Sequence, residues 1–249
     1  MSGEKPGHEK PGGAKAGGRK RFYKDVSVAE TAVSPPSYRI LLDGRGVRTP
    51  AKRELAVPSR AIADALAAEW AAQETTIQPQ TMPLTRLVNS ALDGVAGRET
   101  EVRASIVAYG GSDLLCYLAE GPRELIERQS HAWGEIHAWV KAAFAVELIL
   151  AAGIMPVIQP PAMLARLDGA LGKRGALELA ALHVMTASMG SLLLSLAVLH
   201  RRLDVAQAWT LAHIDEDFQI ERWGRDAEAE VRRSQRWSEI VAASQVLAS

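Results

Sequence analysis

The most apolar stretch of the chain runs from Leu177 to Leu199 and reads LELAALHVMTASMGSLLLSLAVL. Its length would just span the hydrocarbon core of a bilayer, for which about 20 apolar residues suffice. It carries Glu178 and His183, however, together with several small or hydroxyl residues, and no aromatic belt flanks it. These features favour a central helix that other helices surround in a bundle, so we do not expect insertion into a membrane.

The segment from Asp204 to Trp237 contains no interior proline, and only Gly224 interrupts it, so the sequence predicts one long helix. At 100° per residue, an apolar stripe runs along this helix with Glu216 at its centre. The apolar members of the stripe are Val205, Trp209, Ala212, Ile220, Trp223 and Ala227. A carboxylate in such a place is costly unless it is paired, hydrogen-bonded or functional, which makes Glu216 the first candidate functional residue.

The chain upstream of Gly121-Pro122 alternates strand-like and helical segments. The predicted strands are Phe22–Val28, Tyr38–Leu42, Val47–Thr49, Glu54–Val57 and a buried Asp113–Leu118, with a hairpin turn at Asp43–Gly46. Helices are predicted over 59–73, from Pro83 onward, and over 98–108. We expect Trp70, on the first of these helices, to pack on the sheet as a structural residue.

Downstream of Gly121-Pro122 the sequence is almost entirely helical, with helices predicted over 122–146 and 163–171 before the two segments described above. The predicted fold class is therefore α+β, with a small N-terminal antiparallel sheet and its helices followed by an all-helical domain. The predicted divisions are a disordered tail at 1–20, a mixed α/β domain at 21–121 and a helical domain at 122–249.

Composition excludes several classes of function. The formal net charge is zero, with 29 basic and 29 acidic side chains, so nothing indicates a nucleic-acid partner. A single cysteine, Cys116, rules out an internal disulfide and suits a reducing compartment. The N-terminus lacks the apolar region of a secretory signal and the pattern of a transit peptide. Both observations argue against secretion and against import through a transit peptide.

An acidic run in the Asp204–Trp237 segment raises the question of catalysis. Asp215, Glu216 and Asp217 point in directions 100° apart on a helix, and no Glu-x-x-His or His-x-x-x-His ligand set is present. Nucleotide-binding and serine-hydrolase motifs are also missing. We expect no metal, no cofactor and no catalytic residue. A binding protein fits best, while a general helical scaffold or adaptor and an enzyme that uses the acidic run remain as alternatives.

Eight strings, in this order and spacing, resemble the ATP12 family of assembly chaperones for the F1 sector of ATP synthase. The strings are RFYK (21–24), LLDGRGVRTP (41–50), EWAAQ (69–73), TMPLTRLVNSALD (81–93), SDLLCY (112–117), ERQSHAW (127–133), GSLLLSLAV (190–198) and DEDFQIERWGRDAEA (215–229). The resemblance extends over nearly everything from Arg21 onward. It implies a two-domain protein that binds the unassembled F1 α subunit and keeps it soluble until the β subunit replaces it. Because the N-terminal tail does not resemble a mitochondrial presequence, we expect a bacterial cytoplasmic member of this family, or a mitochondrial matrix protein if the source is eukaryotic.

The resemblance also indicates which residues matter. The family's sensitive acidic residue lies in a D-E-x-x-Q-x-E-x-W-G segment, and the matching positions here are Asp215, Glu216, Gln219, Glu221, Trp223 and Gly224. Glu216 is the preferred candidate because its position on the stripe marks it independently, and Glu221 is the second. Trp70 is the tryptophan of the E-W-x-x-Q string. Glu216 could contact the client or be a buried residue bonded between helices, and we expect the free protein to be a monomer.

Overall fold

The computed structural model describes residues 19–32, 34–153 and 155–249, and it begins with a small antiparallel sheet. Its strands are β1 (Val26–Glu30), β2 (Tyr38–Leu42), β3 (Arg45–Gly46) and β4 (Ala56–Val57). Strand β2 is central and pairs antiparallel with the other three. The β2–β3 turn places Asp43 and Gly44 at φ +48° and +76°, which is typical of a tight hairpin. The predicted N-terminal sheet is thus confirmed.

Three helices follow the sheet: α1 (Arg60–Ala71), α2 (Pro83–Ser90), which continues as one wider turn over Ala91–Val95, and α3 (Glu99–Ala108). Helix α1 turns Ile62, Ala63 and Leu66 into the core and packs across β1 and β2. The sheet is tied to the turn after α2 by Asp93, whose carboxylate accepts a hydrogen bond from the Thr49 hydroxyl at 2.7 Å. The predicted helices in this region are therefore present.

The segment Asp113–Leu118 differs from the predicted strand. Leu114–Cys116 form one turn of 3₁₀ helix, and only Tyr117–Leu118 are extended as β5, which pairs with β6 (Ala151–Ala152). The reason lies in Asp113, whose side chain accepts from the backbone N–H of Leu115 and starts the helical turn. The expectation that the segment is buried is correct, since Leu115 and Cys116 are fully inaccessible.

The helical part comprises seven helices within the described residues. They are α4 (Arg123–Phe144), α5 (Pro161–Leu171), α6 (Ala176–Met189), α7 (Leu192–Leu199), α8 (Val205–Ala212), α9 (Ile214–Trp223) and α10 (Ala227–Ala248). Helix α6 lies at the centre and packs against α2, α3, α7 and α10. None of the helices in the described part of the chain is both long enough and apolar enough to cross a membrane.

The apolar stretch Leu177–Leu199 is two helices rather than the single helix expected. Helix α6 ends at Gly190, which adopts φ +65°, and Ser191 caps α7 by accepting from the backbone N–H of Leu194 at 3.1 Å. A left-handed glycine followed by a serine cap is a standard way to end one helix and begin another. The central, surrounded position predicted for the stretch is correct.

The predicted single helix over Asp204–Trp237 is wrong, because the chain forms α8, α9 and the start of α10. The first break is at His213, whose backbone N–H bonds to Thr210 while its ring Nδ1 lies 2.8 Å from the carbonyl oxygen of Trp209. The ring thus occupies the acceptor that the residue's own N–H would use in a continuous helix. The second break follows Gly224 at φ +88°, after which Asp226 caps α10.

Helices on the two sides of Gly121-Pro122 pack directly on each other. Helices α2 and α3 contact α6, α2 also contacts α10, and Arg86 on α2 forms an ion pair with Glu239 on α10 at 2.8 Å. The division into domains at 121 and 122 stays a prediction. The predicted tail lies outside the described residues except for its last two, of which Lys20 pairs with Thr76.

Candidate functional site

Helices α9 and α10 form a hairpin that encloses a cleft of about 470 Å³, which we call the α9–α10 cleft. Three of the five non-glycine residues matched to the family's D-E-x-x-Q-x-E-x-W-G segment, Glu216, Gln219 and Trp223, line it. The other lining residues are Asp217, Ile220, Gly224, Arg225, Asp226, Ala229, Glu230 and Arg233. The cleft therefore combines an apolar floor with several charged side chains, as ligand and peptide sites commonly do.

Trp223 stands at the rim of the α9–α10 cleft and is 78% exposed. It is the last residue of α9, and the turn that follows at Gly224 carries the chain away without covering the indole. Large aromatic side chains are normally well buried, because each removes a large apolar area from water. An exposed tryptophan beside a cleft is therefore the kind of side chain that anchors a protein–protein contact.

Glu216 lies in the first turn of α9, where a carboxylate is stabilised by the helix dipole. Its side chain is 33% exposed, so it is not buried among apolar residues as the prediction of a single helix implied. Its nearest cationic or imidazole groups are His213 Nε2 at 3.6 Å and Arg236 Nη2 at 3.7 Å. Both distances exceed hydrogen-bond length, so within the described residues this carboxylate retains capacity to accept.

The two arginines that line the cleft are already bonded to carboxylates of the cleft. Arg233 on α10 binds Asp217 on α9 at 2.5 Å, and this hydrogen bond raises the pKa of the guanidinium. Arg225, in the turn, binds Glu230 on α10. The first pair joins the two arms of the hairpin, and the second joins the turn to α10.

His213 lies beside Glu216, with its Nε2 atom 3.6 Å from the carboxylate, and it was not among the candidate site residues predicted from the sequence. Its ring is 4% exposed and stacks on Trp209 with centroids 3.8 Å apart. Burial lowers the pKa of the imidazole, which keeps the ring neutral at pH 7. Because Nδ1–H donates to the Trp209 carbonyl, Nε2 carries a lone pair toward Glu216. A histidine in a run of helix-forming residues gave no signal of this break.

Asp215 and Glu221, the remaining two predicted residues, face α4 instead of the cleft. The buried side-chain amide of Gln129 donates to Asp215 Oδ1 at 2.6 Å, and Arg128 binds Glu221 at 2.8 Å. Between them Phe218 is buried with arginine side chains against its ring. The structure therefore separates the five residues into two groups on different faces of α9.

Trp70 lies far along the chain from the cleft, at the end of α1. Its indole packs edge-on against Tyr23 with centroids 5.8 Å apart, and the Tyr23 hydroxyl donates to the Trp70 carbonyl at 2.7 Å. Trp70 thus joins α1 to the segment that leads into β1. Its role as a structural residue stays a prediction, since no variant tests it.

One buried carboxylate escaped the sequence reasoning. Asp113 is fully buried, and its two oxygens accept from the backbone N–H groups of Leu115 at 3.1 Å and Leu193 at 3.0 Å. Burial raises the pKa of this carboxyl to about 6. The available signal was an aspartate immediately before an apolar run, which is typical of a helix cap.

The described part of the chain holds no group of three or more His, Cys, Asp or Glu side chains that converge as metal ligands. Cys116 is buried, and desolvation raises the pKa of its thiol to about 12, so it is a poor nucleophile at pH 7. The α9–α10 cleft presents carboxylates, the side-chain amide of Gln219 and an exposed indole.

Comparison with known proteins places this fold among chaperones. The Atu1473 protein of Agrobacterium tumefaciens, described as a chaperone candidate, shares 44% identity at a TM-score of 0.87, over 92% of this chain and 85% of that one. Atp12 from Paracoccus denitrificans shares 37% identity at a TM-score of 0.83, over 92% of this chain and 97% of that one. A point mutant of the same Paracoccus protein matches equally well.

The family follows from the sequence as well. The profile of the ATP12 chaperone protein matches residues 20–141. The mitochondrial protein atp12 of Schizosaccharomyces pombe is 25% identical over 217 residues, which are 82% of this chain and 74% of that protein. The chain therefore belongs to the ATP12 family, whose members are assembly chaperones of the F1 sector of ATP synthase.

Proposed function

We propose that this protein binds the unassembled α subunit of F1 ATP synthase and covers its subunit interface until the β subunit takes that place. An isolated subunit exposes an apolar interface and tends to aggregate through it. A chaperone that covers this surface reversibly suppresses aggregation without blocking assembly. The protein acts as a stoichiometric binder in this proposal, with no catalytic step and no cofactor.

The observation that carries the proposal is the exposed Trp223 beside the α9–α10 cleft. A few well-placed aromatic and charged residues supply most of the affinity at protein interfaces, while the surrounding contacts exclude water. Trp223 provides apolar area, and Glu216 and Gln219 provide groups that orient a client. The proposed client contacts are thus Glu216, Gln219 and Trp223. Asp215 and Glu221 support them by holding α9 on α4.

The proposal extends to where the protein works and in what state. We propose a monomer in the bacterial cytoplasm, with the mitochondrial matrix as the corresponding place in a eukaryotic cell. A monomer leaves the α9–α10 cleft open for a client. Sedimentation of the purified protein, alone and with the α subunit, tests this, because a stable homodimer would contradict it.

The test is aggregation of purified α subunit on dilution from denaturant, followed by light scattering. We expect suppression that rises in proportion to chaperone and is complete near one chaperone per α subunit. Addition of β subunit should then release α into an αβ complex. Full suppression at a small fraction of that ratio would indicate catalysis and contradict the proposal.

A second aggregation-prone protein, unrelated to F1, serves as the control client. An F1-specific chaperone should hold the α subunit and leave the control client to aggregate. Equal protection of both would favour a general helical scaffold or adaptor. Failure to hold the α subunit at any ratio would remove the proposed function.

A further inference from the structure

The α9–α10 cleft has more negative than positive charge. It is lined by four carboxylates and two guanidinium groups, and each guanidinium is already bound to one of those carboxylates. Among the described residues, Asp226 has no basic partner, and Glu216 has one only at 3.7 Å, in Arg236, which does not line the cleft. The Asp226 carboxylate accepts one backbone hydrogen bond, from Ala229 at 2.7 Å, and the Glu216 carboxylate makes only the two longer contacts described above. The cleft is therefore electrostatically suited to a cation.

Trp223, at the rim of the cleft, lacks the cationic partner that Phe218 on α9 and Trp209 on α8 have. Arg222 and Arg128 lie over the ring of Phe218 at 4.4 and 5.2 Å, and Arg233 lies 6.0 Å from the ring centroid of Trp209. Within the described residues, Trp223 has neither a guanidinium nor another aromatic ring against it. Tryptophan offers the best face for such a cation, so its exposed indole is an open stacking position.

The size of the cleft suits one extended side chain with its backbone. Its volume of about 470 Å³ lies within the range of roughly 300–1,000 Å³ that is usual for ligand sites. The apolar floor made by Ile220 and Ala229 would contact the methylene groups of a long side chain. Carboxylates at the wall and an indole at the rim would contact its charged end.

We propose that the α9–α10 cleft receives an arginine side chain displayed by the client, stacked on Trp223 and bonded to Glu216. The inference rests on the proposed function for the identity of the client, but the chemistry of the cleft can be tested without it. Arginine fits better than lysine because its planar guanidinium stacks on an indole and can donate two parallel hydrogen bonds to one carboxylate. An acidic side chain would meet repulsion from Glu216 and Asp226.

The first experiment uses small probes on the complete protein. The indole N–H of Trp223 is assigned in a ¹H–¹⁵N spectrum with Trp223→Phe, and N-acetyl-arginine amide is then titrated against it. N-acetyl-citrulline amide is the matched control, since it has the same shape without the charge. We expect a saturable shift of the Trp223 signal with arginine and at least a tenfold weaker response with citrulline.

Variants localise the arginine probe. Glu216→Gln should weaken arginine binding at least tenfold, whereas Glu228→Gln, an exposed carboxylate on α10 that does not line the cleft, should leave it unchanged. Absence of a shift, an equal response to citrulline, or equal weakening by both variants would overturn the inference.

The second experiment connects the cleft to the client. Affinity for the α subunit is compared for wild type, Trp223→Ala and Val231→Ala, an exposed apolar residue of α10 outside the cleft. We expect a loss of tenfold or more with Trp223→Ala alone, and thermal unfolding should show that all three proteins remain folded. If wild type binds the α subunit and Trp223→Ala binds it equally, the inference fails while the proposed function stands. If wild type does not bind it, the proposed function fails, and the arginine titration still tests whether the cleft binds arginine.

Discussion

Asp113 and Glu216 are carboxylates in opposite environments, since Asp113 is buried and bonded within the fold while Glu216 lines the α9–α10 cleft, where we propose that a client binds. Asp113 is fully buried, and both of its oxygens accept from backbone N–H groups that belong to different segments. Glu216 is partly exposed and lies beyond hydrogen-bond distance of His213 and Arg236. A buried acid that is fully bonded stabilises the fold, whereas an exposed acid that can still accept is available to a partner.

The surroundings of the two carboxylates differ in the same way. Around Asp113 the break between α6 and α7 is a closed polar network, in which the Thr186 hydroxyl donates to Ser195 and the Ser195 hydroxyl bonds to the carbonyl of Ser191. Around Glu216 the α9–α10 cleft is open to solvent and is bordered by the most exposed tryptophan of the described residues. Changes near Asp113 should therefore affect stability, and changes near Glu216 should affect client binding.

Asp113→Ala should give the largest effect on stability. The substitution leaves two buried backbone N–H groups without an acceptor, each at a cost of about 1–3 kcal/mol, so we expect a loss of about 2–6 kcal/mol in the free energy of unfolding. Urea denaturation measures it, with Glu228→Ala as the control. A loss no larger than that of the control would contradict the structural role of Asp113.

Asp113 should also contribute to the pH dependence of the free energy of unfolding. Its folded-state pKa of about 6 lies above the ordinary value of 3.8, so the folded protein binds the proton first as the pH falls. Asp113 therefore contributes to the free energy of unfolding below pH 6. This contribution falls by about 2 kcal/mol as the pH rises from 4.5 to 7. His137 and His213, whose pKa values are lowered by burial, act in the opposite direction.

The measurement compares wild type with Asp113→Asn at both pH values, so that the histidine contributions cancel. The stability gap between the two proteins should be wider at pH 4.5 than at pH 7. A gap that is constant or narrower at pH 4.5 would show that Asp113 does not hold a proton in this range.

Asp215→Ala should have an intermediate effect. It removes the acceptor of the Gln129 amide, which is only 1% exposed, at an expected cost of about 1–3 kcal/mol. The folded variant should bind the α subunit with the affinity of wild type. Asp215→Asn retains an acceptor oxygen and serves as the control in chemical denaturation. A loss of client affinity in a fully folded Asp215→Ala protein would show that Asp215 takes part in client binding.

Glu216→Gln should change stability least of all, within about 0.5 kcal/mol, because its contacts are long and partly exposed to water. Its effect should be seen in pull-down of the α subunit, where retention should fall. Thermal unfolding and pull-down on the same preparation give both values. A large loss of stability with normal retention would show that Glu216 stabilises the fold, as Asp113 does, and does not contact the client.

Much of the fold could be predicted from local pattern. Alternating apolar residues and the Asp43-Gly44 turn indicate the sheet, and the apolar stretch Leu177–Leu199 indicates a surrounded helical centre. The division of the α9 candidate residues between α4 and the cleft was harder to predict from the sequence. Asp215 and Glu216 are adjacent in sequence, yet one bonds to α4 and the other borders a cleft, because the directions of neighbouring side chains on a helix differ by 100°.

The sequence by itself determined the α+β composition, the central position of the apolar stretch, the family, and the segment in which the candidate site lies. Only the tertiary structure decided that Asp204–Trp237 bends twice and forms a cleft. The helix breaks at His213 because the imidazole ring, and not the backbone N–H of the same residue, bonds to the Trp209 carbonyl. The ring is buried there against the Trp209 side chain. Helix propensity counts the preference of each residue alone and contains no information about such contacts between side chains and the backbone.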